Sequence, residues 1–201
     1  VPLEPSFPDP TAEAKEPPAP ILDARAAPAS GTAGSPVVVP AQKQEEILPR
    51  QKAATTAETP VLTATVIEGK NFRYEGQVNE QGEKHGHGTL IFDRGDRYEG
   101  QWRHDRMHGE GTYLFSDGDK YIGQWRNNKM HGRGTYFYAS GDRYQGQFAD
   151  DLKDGPGSYI FKNEDRWEGS YLQGKKHGKA VYTWSNGRSQ EELWNMGRKV
   201  E

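Results

Sequence analysis

One unit of about 23 residues repeats five times in the second half of this chain, and this repeat limits the fold more than any other feature. An aromatic residue opens each copy, a glycine follows two positions later, and in most copies another aromatic residue follows two positions after that. The opening residues are Tyr74, Tyr98, Tyr121, Tyr144 and Trp167, spaced by 24, 23, 23 and 23 residues. Self-similarity at this period is typical of repeat architectures, in which each unit packs against its neighbours.

A second block recurs at the same period. It reads His-Gly-His-Gly at 85–88, His-Gly-Glu-Gly at 108–111, His-Gly-Arg-Gly at 131–134, Asp-Gly-Pro-Gly at 154–157 and His-Gly-Lys-Ala at 177–180. The residues before and after this block alternate with period two, as β-strands do, so each copy predicts a β-hairpin. A lone hairpin is only marginally stable in water. The predicted fold class is therefore all-β, with tandem hairpins side by side in one elongated, twisted antiparallel sheet.

Strand alternation assigns the residues of each copy to two faces. Tyr98, Gly100 and Trp102 share one face, while Glu99 and Gln101 take the other. Glycine between large side chains leaves room for a ring to lie across the strand, and each histidine is expected to pin a turn at the hairpin end. The residues predicted to be repeat-structural are Tyr98, Gly100, Trp102, His108, Tyr121, Gly123, Trp125, His131, Tyr144 and Gly146.

Composition divides the chain into two parts. Residues 1–65 hold 12 of the 13 prolines and a net charge of −3, whereas residues 66–201 hold 22 of the 24 glycines and no net charge. A Pro/Ala-rich segment with little apolar surface cannot offset the entropy of ordering. The predicted segments are a disordered tether at 1–60 and an array at 61–201, with five repeats from about 72 to 189 and half-repeat caps at 61–71 and 190–201.

Several classes of function are disfavoured by the sequence. The chain has no cysteine, so thiol catalysis and thiolate metal sites are excluded. An array with no net charge gives no electrostatic reason to bind nucleic acid. The repeated histidines would lie about 9.6 Å apart, two strand spacings, which is too far to share one metal ion. We therefore expect no enzyme activity, no cofactor and no metal site.

The order of the motifs is similar to a known family. Tyr-x-Gly-x-Trp, then His-Gly-x-Gly, then an apolar strand ending near an Asp-Gly turn resembles the MORN repeat, over about residues 72–189. The resemblance implies an elongated sheet of hairpins that is not catalytic by itself and that serves scaffolding, dimerisation or targeting, with phospholipid binding often proposed. Asp154, Pro156 and Ala180 depart from the pattern.

The second face of the sheet holds the main candidate site. One apolar residue recurs there in four of the five copies, with Thr183 at that position in the fifth and with glutamate and glutamine nearby. The candidate partner-binding residues are Ile91, Leu114, Phe137 and Ile160. A single sheet can bury only one face against itself, so this ladder is predicted to bind another protein or a second copy of the chain. The alternative is that the ladder only stabilises the sheet through contacts between its own members.

Two other functions remain open from the sequence. Lys175, Lys176 and Lys179 form a basic spot that could bind the headgroups of anionic phospholipid, which makes the array a membrane-targeting module. The array could also be the regulatory end of a larger enzyme whose catalytic domain lies upstream. The chain begins with Val1, and a tether at that end favours a membrane-associated or extracytoplasmic location.

Overall fold

The computed structural model describes residues 62–200, so the predicted tether at 1–60 lies outside the described residues. Every regular element between residues 62 and 200 is a strand, and all of them form one antiparallel sheet in which each strand lies beside its neighbours in the sequence. The strands are β1 (Thr63–Glu68), β2 (Phe72–Val78), β3 (Lys84–Phe92), β4 (Arg97–Arg103), β5 (Arg106–Leu114), β6 (Lys120–Arg126), β7 (Lys129–Phe137), β8 (Arg143–Ala149), β9 (Leu152–Ile160), β10 (Arg166–Leu172), β11 (Lys175–Thr183), β12 (Ser189–Asn195) and β13 (Arg198–Val200). The predicted fold class is confirmed.

Each repeat is a hairpin of a seven-residue strand and a nine-residue strand. The second strand begins before the histidine, so His108 and His131, which were expected to pin the turns at the hairpin ends, lie within β5 and β7. The turns are the pairs 104–105 and 127–128, in which all four residues have positive φ. Such two-residue turns match the right-handed twist of the flanking strands.

A bulge interrupts the pairing inside each repeat. Gly100 lies opposite Gly111, but Gln101 lies opposite His108, so Gly109 and Glu110 are extra residues in β5. Gly109 adopts a φ of 59°, in the left-handed region that favours glycine. The extra residues bend the strand locally. Because two residues are inserted rather than one, the residues on both sides of the bulge keep the same alternation between the two faces.

The core lies on one face of the sheet, as the alternation predicted. Tyr98, Tyr121 and Tyr144 are fully buried there. The Tyr121 ring lies along its own strand, and its hydroxyl donates to the Gln124 carbonyl at 3.0 Å. A Cβ added at Gly134 would stand only 2.4 Å from the Tyr121 Oη. The second glycine of the His-Gly-x-Gly block is therefore the space in which the tyrosine ring lies.

One aspartate per repeat links consecutive hairpins. Asp119 Oδ2 accepts from the Tyr136 hydroxyl at 2.6 Å, and Asp119 Oδ1 accepts from the Ala139 backbone N–H at 2.8 Å. Burial, together with this carboxylate, raises the pKa of Tyr136 well above its usual value. Asp142 and Asp165 make the same two kinds of bond one and two repeats later. The turns at one edge of the array are thus tied to each other at each step.

The two ends of the array differ from the five repeats. β1 is the first strand of the sheet and pairs with β2 alone. At the other end, the segment predicted as a half-repeat contains both β12 and the short strand β13. Glu192 occupies the position that glycine holds in the repeats, and it is buried. Its carboxylate accepts from Lys199 Nζ at 3.0 Å and from Trp194 Nε1 at 2.8 Å.

Candidate interaction surface

The four residues predicted to bind a partner all lie on the outer face, opposite the tyrosine core. Ile91 and Leu114 are 42% and 41% exposed, and Phe137 and Ile160 are half-buried. In an antiparallel sheet, residues directly opposite one another stand about 5 Å apart and form rows across the strands. The position of each apolar residue in its row therefore decides what a partner would meet.

These four residues do not form a continuous apolar ladder, because a basic residue stands between each pair of them. Arg97 lies opposite both Ile91 and Leu114, and Lys120 lies opposite both Leu114 and Phe137. The same alternation continues on both sides of these strands. We call the whole set the alternating row: Arg73, Ile91, Arg97, Leu114, Lys120, Phe137, Arg143, Ile160 and Arg166.

Sequence reasoning did not identify the basic half of this row. A signal was present, because the residue directly before the opening aromatic is basic in all five copies. The five are Arg73, Arg97, Lys120, Arg143 and Arg166. Strand alternation alone places each of them on the outer face. Only the pairing register shows that they stand between the apolar residues of neighbouring strands.

The five cations have different neighbours. Arg97 pairs with Glu99 at 2.6 Å, and Arg166 pairs with Glu168 at 2.7 Å. Such exposed pairs contribute little stability, about 0–1 kcal/mol each. Lys120 instead lies 4.5 Å from the centre of the Phe137 ring. Arg143 makes no ion pair with any residue between 62 and 200.

The sequence explains why the middle of the row lacks acidic partners. The glutamate that follows the base by two positions in the first, second and fifth copies is replaced in the third and fourth, by Ile122 and Gln145. Beside these copies the surface also forms a shallow cleft of about 430 Å³, which is lined by three basic residues, Arg143, Lys162 and Arg166, and by one acidic residue, Glu164. The third and fourth repeats therefore offer the cations of the row with the least internal neutralisation.

The glutamines expected to flank the ladder have a structural role. Gln124 Oε1 accepts from the Arg133 backbone N–H at 3.0 Å, and Gln77 Oε1 accepts from the His87 N–H at 2.7 Å. The two donating N–H groups, of Arg133 and His87, belong to the bulged part of the second strand of their hairpins. The glutamine side chains therefore supply hydrogen-bond acceptors for the bulge and do not form the wall of a groove.

The three lysines of the predicted phospholipid site are divided between the two faces. Lys176 lies opposite Tyr171 on the inner face, 4.8 Å from the Trp167 ring and 4.9 Å from the Trp194 ring. Lys175 and Lys179 are exposed. The structure does not bring the three amino groups together on one surface, and phospholipid binding by them stays a prediction.

The described residues contain no constellation typical of a metal or membrane-spanning site. Between residues 62 and 200, no three histidine, cysteine or acidic side chains are grouped so that they could hold a metal ion. No helix in that part of the chain is long and apolar enough to cross a membrane. The Nδ1 atoms of His85, His108 and His131 are buried without a hydrogen-bond partner in the described part. Burial also lowers the pKa of His108, with Arg103 and Arg126 acting in the same direction.

Comparison with known proteins agrees with the resemblance seen in the sequence. A search of curated proteins found no match. A similar solved structure is the TCP domain of SAS-4 from Drosophila melanogaster, in complex with a proline-rich motif of Ana2. It is 16% identical in sequence, with a TM-score of 0.39, and the alignment covers 78% of this chain and 96% of that one. The sequence model of the MORN repeat matches five consecutive segments, 74–97, 98–120, 121–143, 144–166 and 167–187. Because these segments make up more than half of the chain, it belongs to the MORN repeat family.

Proposed function

We propose that this chain is a non-catalytic interaction module that binds another protein along the alternating row. The observation that supports this most is the contrast between the faces. The inner face carries the tyrosine core and is buried by its own rings, whereas Ile91 and Leu114 on the outer face remain about two-fifths exposed. Covering the exposed part of each such side chain would contribute about 1 kcal/mol. A row of them along one rigid sheet offers a partner many small gains in a fixed geometry.

The rest of the chain fits this role as part of the same proposal. In this proposal residues 1–60, which lie outside the described residues, act as a tether, and residues 61–201 act as the binding array. A second copy of the chain is an alternative partner for the same row, and it would make the module self-associating. A role as the regulatory end of a larger enzyme would add a catalytic domain outside this chain and would keep the same binding surface.

Binding to an anionic membrane is the second candidate function. It is favoured by the five cations of the alternating row, since a basic residue near an anionic surface contributes about 1 kcal/mol. Flotation of the full chain with neutral and with anionic vesicles tests it. Binding to anionic vesicles only, lost when Lys120 and Arg143 are both changed to glutamate, would favour the membrane over a protein partner.

Site-specific photocrosslinking tests the proposed function in cells that express the chain naturally. Benzoylphenylalanine is placed at Leu114, in the alternating row, or at Leu152, which is equally exposed at 41% but lies at the start of β9, away from the row. We expect a discrete adduct with one protein from position 114 and none from position 152. No adduct at 114, or equal adducts at both positions, would contradict the proposal.

A further inference from the structure

The spacing and charge of the alternating row indicate what kind of partner fits it. Neighbouring bases of the row are two strands apart, about 9.6 Å at the usual strand spacing. The apolar residue between two bases stands on the intervening strand, as Leu114 does between Arg97 and Lys120. A complementary partner therefore needs an anionic group about every 10 Å, with compact apolar surface in between.

The backbone with this period is the polyproline II helix. It has three residues per turn and rises about 3.1 Å per residue, so every third side chain faces the same way at intervals of about 9.3 Å. A β-strand repeats its faces every two residues, about 6.7 Å, and an α-helix every 5.4 Å. The strand period does not match one hairpin of the array, and a helix approaches the hairpin spacing only over seven residues, about 10.5 Å along a straight axis. A chain more extended than polyproline II rises up to about 3.4 Å per residue, or about 10 Å per three residues. The partner can therefore lengthen slightly where the path along the row is longer than the straight spacing.

The twist of the sheet weighs against a flat or straight partner. Adjacent strands rotate by roughly 20°, so over the eight strand steps from Arg73 to Arg166 the outer face turns by about 160°. A flat membrane or a straight helix can therefore meet only neighbouring members of the row. An extended segment has no internal hydrogen bonds to break when it follows a winding path.

The acidic residues beside the row weigh against a broad anionic surface as well. Glu99 and Glu168 stand two positions along the strand from Arg97 and Arg166, on the same face. A bilayer that contacted the row would also oppose these carboxylates, about 7 Å away. A single extended chain is narrow enough to contact the row alone.

We propose that the alternating row binds an extended acidic segment of another protein, in polyproline II conformation, with a carboxylate at every third residue. This inference rests on the proposed function and specifies its partner. Arg143 is the anchoring cation, because it has no ion pair among the described residues. It also lines the cleft with Lys162 and Arg166, so the lining holds three cations and a single carboxylate, that of Glu164. Proline rings and other compact apolar side chains of the segment lie over Leu114, Phe137 and Ile160.

Fluorescence anisotropy of labelled peptides with the full chain tests this inference. The periodic peptide has four Glu-Pro-Pro units followed by a final glutamate, and the clustered control has the same composition with all five glutamates together. We expect the periodic peptide to bind at least about 10-fold more tightly than the clustered one. Its affinity should also fall as salt is raised, since exposed charges are screened.

A charge reversal at the anchoring cation tests which surface is used. Arg143→Glu should weaken the periodic peptide by about 10-fold or more, the scale expected when a charge-assisted bond is lost. The matched control Arg106→Glu changes an exposed arginine at the far end of β5 and should leave the affinity within about two-fold. Circular dichroism verifies that both variants keep the sheet.

The remaining outcomes separate this inference from the function on which it rests. If neither peptide binds while position 114 still crosslinks to a protein, the acidic segment is wrong and the interaction module stands. Equal binding of both peptides, or equal losses in the two arginine variants, would show general attraction of polyanions and overturn the inference. Flotation with anionic vesicles by a chain that binds neither peptide would overturn it in favour of a membrane. No adduct at position 114 contradicts the proposed function itself.

Discussion

Replacing Gly134 with alanine should destabilise the array by overfilling the core next to a tyrosine ring. The new Cβ would lie 2.4, 2.5 and 2.6 Å from Oη, Cε2 and Cζ of Tyr121, all of them atoms of a fully buried side chain. Gly134 does not have a positive φ, so backbone strain plays no part. The whole effect therefore comes from the contact with the ring.

The change in the free energy of unfolding for Gly134→Ala can be estimated from the displacement of the Tyr121 ring. Overpacking of a well-packed core costs about 1–3 kcal/mol, and contacts this short belong at the upper end of that range. Moving the ring also breaks the bond from the Tyr121 hydroxyl to the Gln124 carbonyl, which is worth about 1 kcal/mol. In the unfolded chain alanine has fewer backbone conformations than glycine, and this difference favours the folded state of the variant by about 0.5–1 kcal/mol. We expect a net loss of about 3 kcal/mol.

Urea unfolding followed by tryptophan fluorescence measures this loss. Trp125 reports on the site because its ring lies 5.2 Å from that of Tyr121. With an m-value of about 2 kcal/mol per molar urea, the midpoint should fall by about 1.5 M. Gly178→Ala is the control, since nothing lies within 4 Å of its Cβ and its φ of 79° leaves only a backbone cost of about 1 kcal/mol. A midpoint shift below about 0.5 M for Gly134→Ala, or equal shifts for both variants, would refute the packing argument.

Three further predictions concern the polar groups that hold the array together. Lys199→Met leaves the Glu192 carboxylate buried without its cation, so we expect the free energy of unfolding to fall by about 3 kcal/mol. Hydrogen exchange in β12 and β13 should become faster, and unchanged exchange there would contradict the prediction. Asp119→Ala removes the acceptor of both the Tyr136 hydroxyl and the Ala139 N–H, so urea unfolding should show the free energy of unfolding reduced by about 2–3 kcal/mol. The control Asp117→Ala removes only the exposed bond that Asp117 Oδ1 accepts from the Asp119 N–H, and it should cost no more than about 1 kcal/mol. Burial alone would raise the pKa of Asp165, but bonds from Tyr182, Ser185 and Asn163 outweigh it and hold that pKa below its usual value. The stability contributed by Asp165 is therefore present above about pH 4 and lost as the pH falls through the lower folded pKa, so the urea midpoint of Asp165→Asn should fall less steeply on acidification than that of the unchanged chain.

The inner face of the array could be predicted from the sequence because its signal is local. The spacing of Tyr98, Gly100 and Trp102 follows directly from strand alternation, and the structure buries the two aromatic residues there. The need for glycine opposite a ring is likewise a property of one hairpin. Copies of the same pattern in register then fix the order of the strands.

The outer face could be predicted only in part, because its chemistry depends on the pairing register. Leu114 and Arg97 are 17 positions apart in the sequence, and they become neighbours only once β4 and β5 are aligned. Without that alignment, the apolar residues looked continuous and the bases looked scattered. The placement of the histidines also depends on the register. A two-residue bulge within a strand cannot be distinguished from a turn by composition alone, so the sequence did not show that the histidines lie inside a strand.

The aspartates that link the hairpins were missed for a related reason. Asp119 forms bonds with residues 17 and 20 positions later, in the next hairpin. Its sequence neighbourhood, Asp-Gly-Asp, indicates a turn and nothing more. The only trace of these partners in the sequence is that Asp119, Tyr136 and the turn after Tyr136 all recur with the same repeat period.

The central claim is that the alternating row binds a protein partner while the inner face maintains the fold, and one crosslinking measurement tests it most directly. Benzoylphenylalanine at Ile91 is combined with Leu114→Asp or with Leu152→Asp, two changes of equal chemistry at side chains of equal exposure on the same face. The account predicts that Leu114→Asp abolishes the adduct from position 91, that Leu152→Asp preserves it, and that neither variant shifts the urea midpoint by more than about 0.5 M. An adduct that survives Leu114→Asp, or one that both variants abolish equally, would contradict the account.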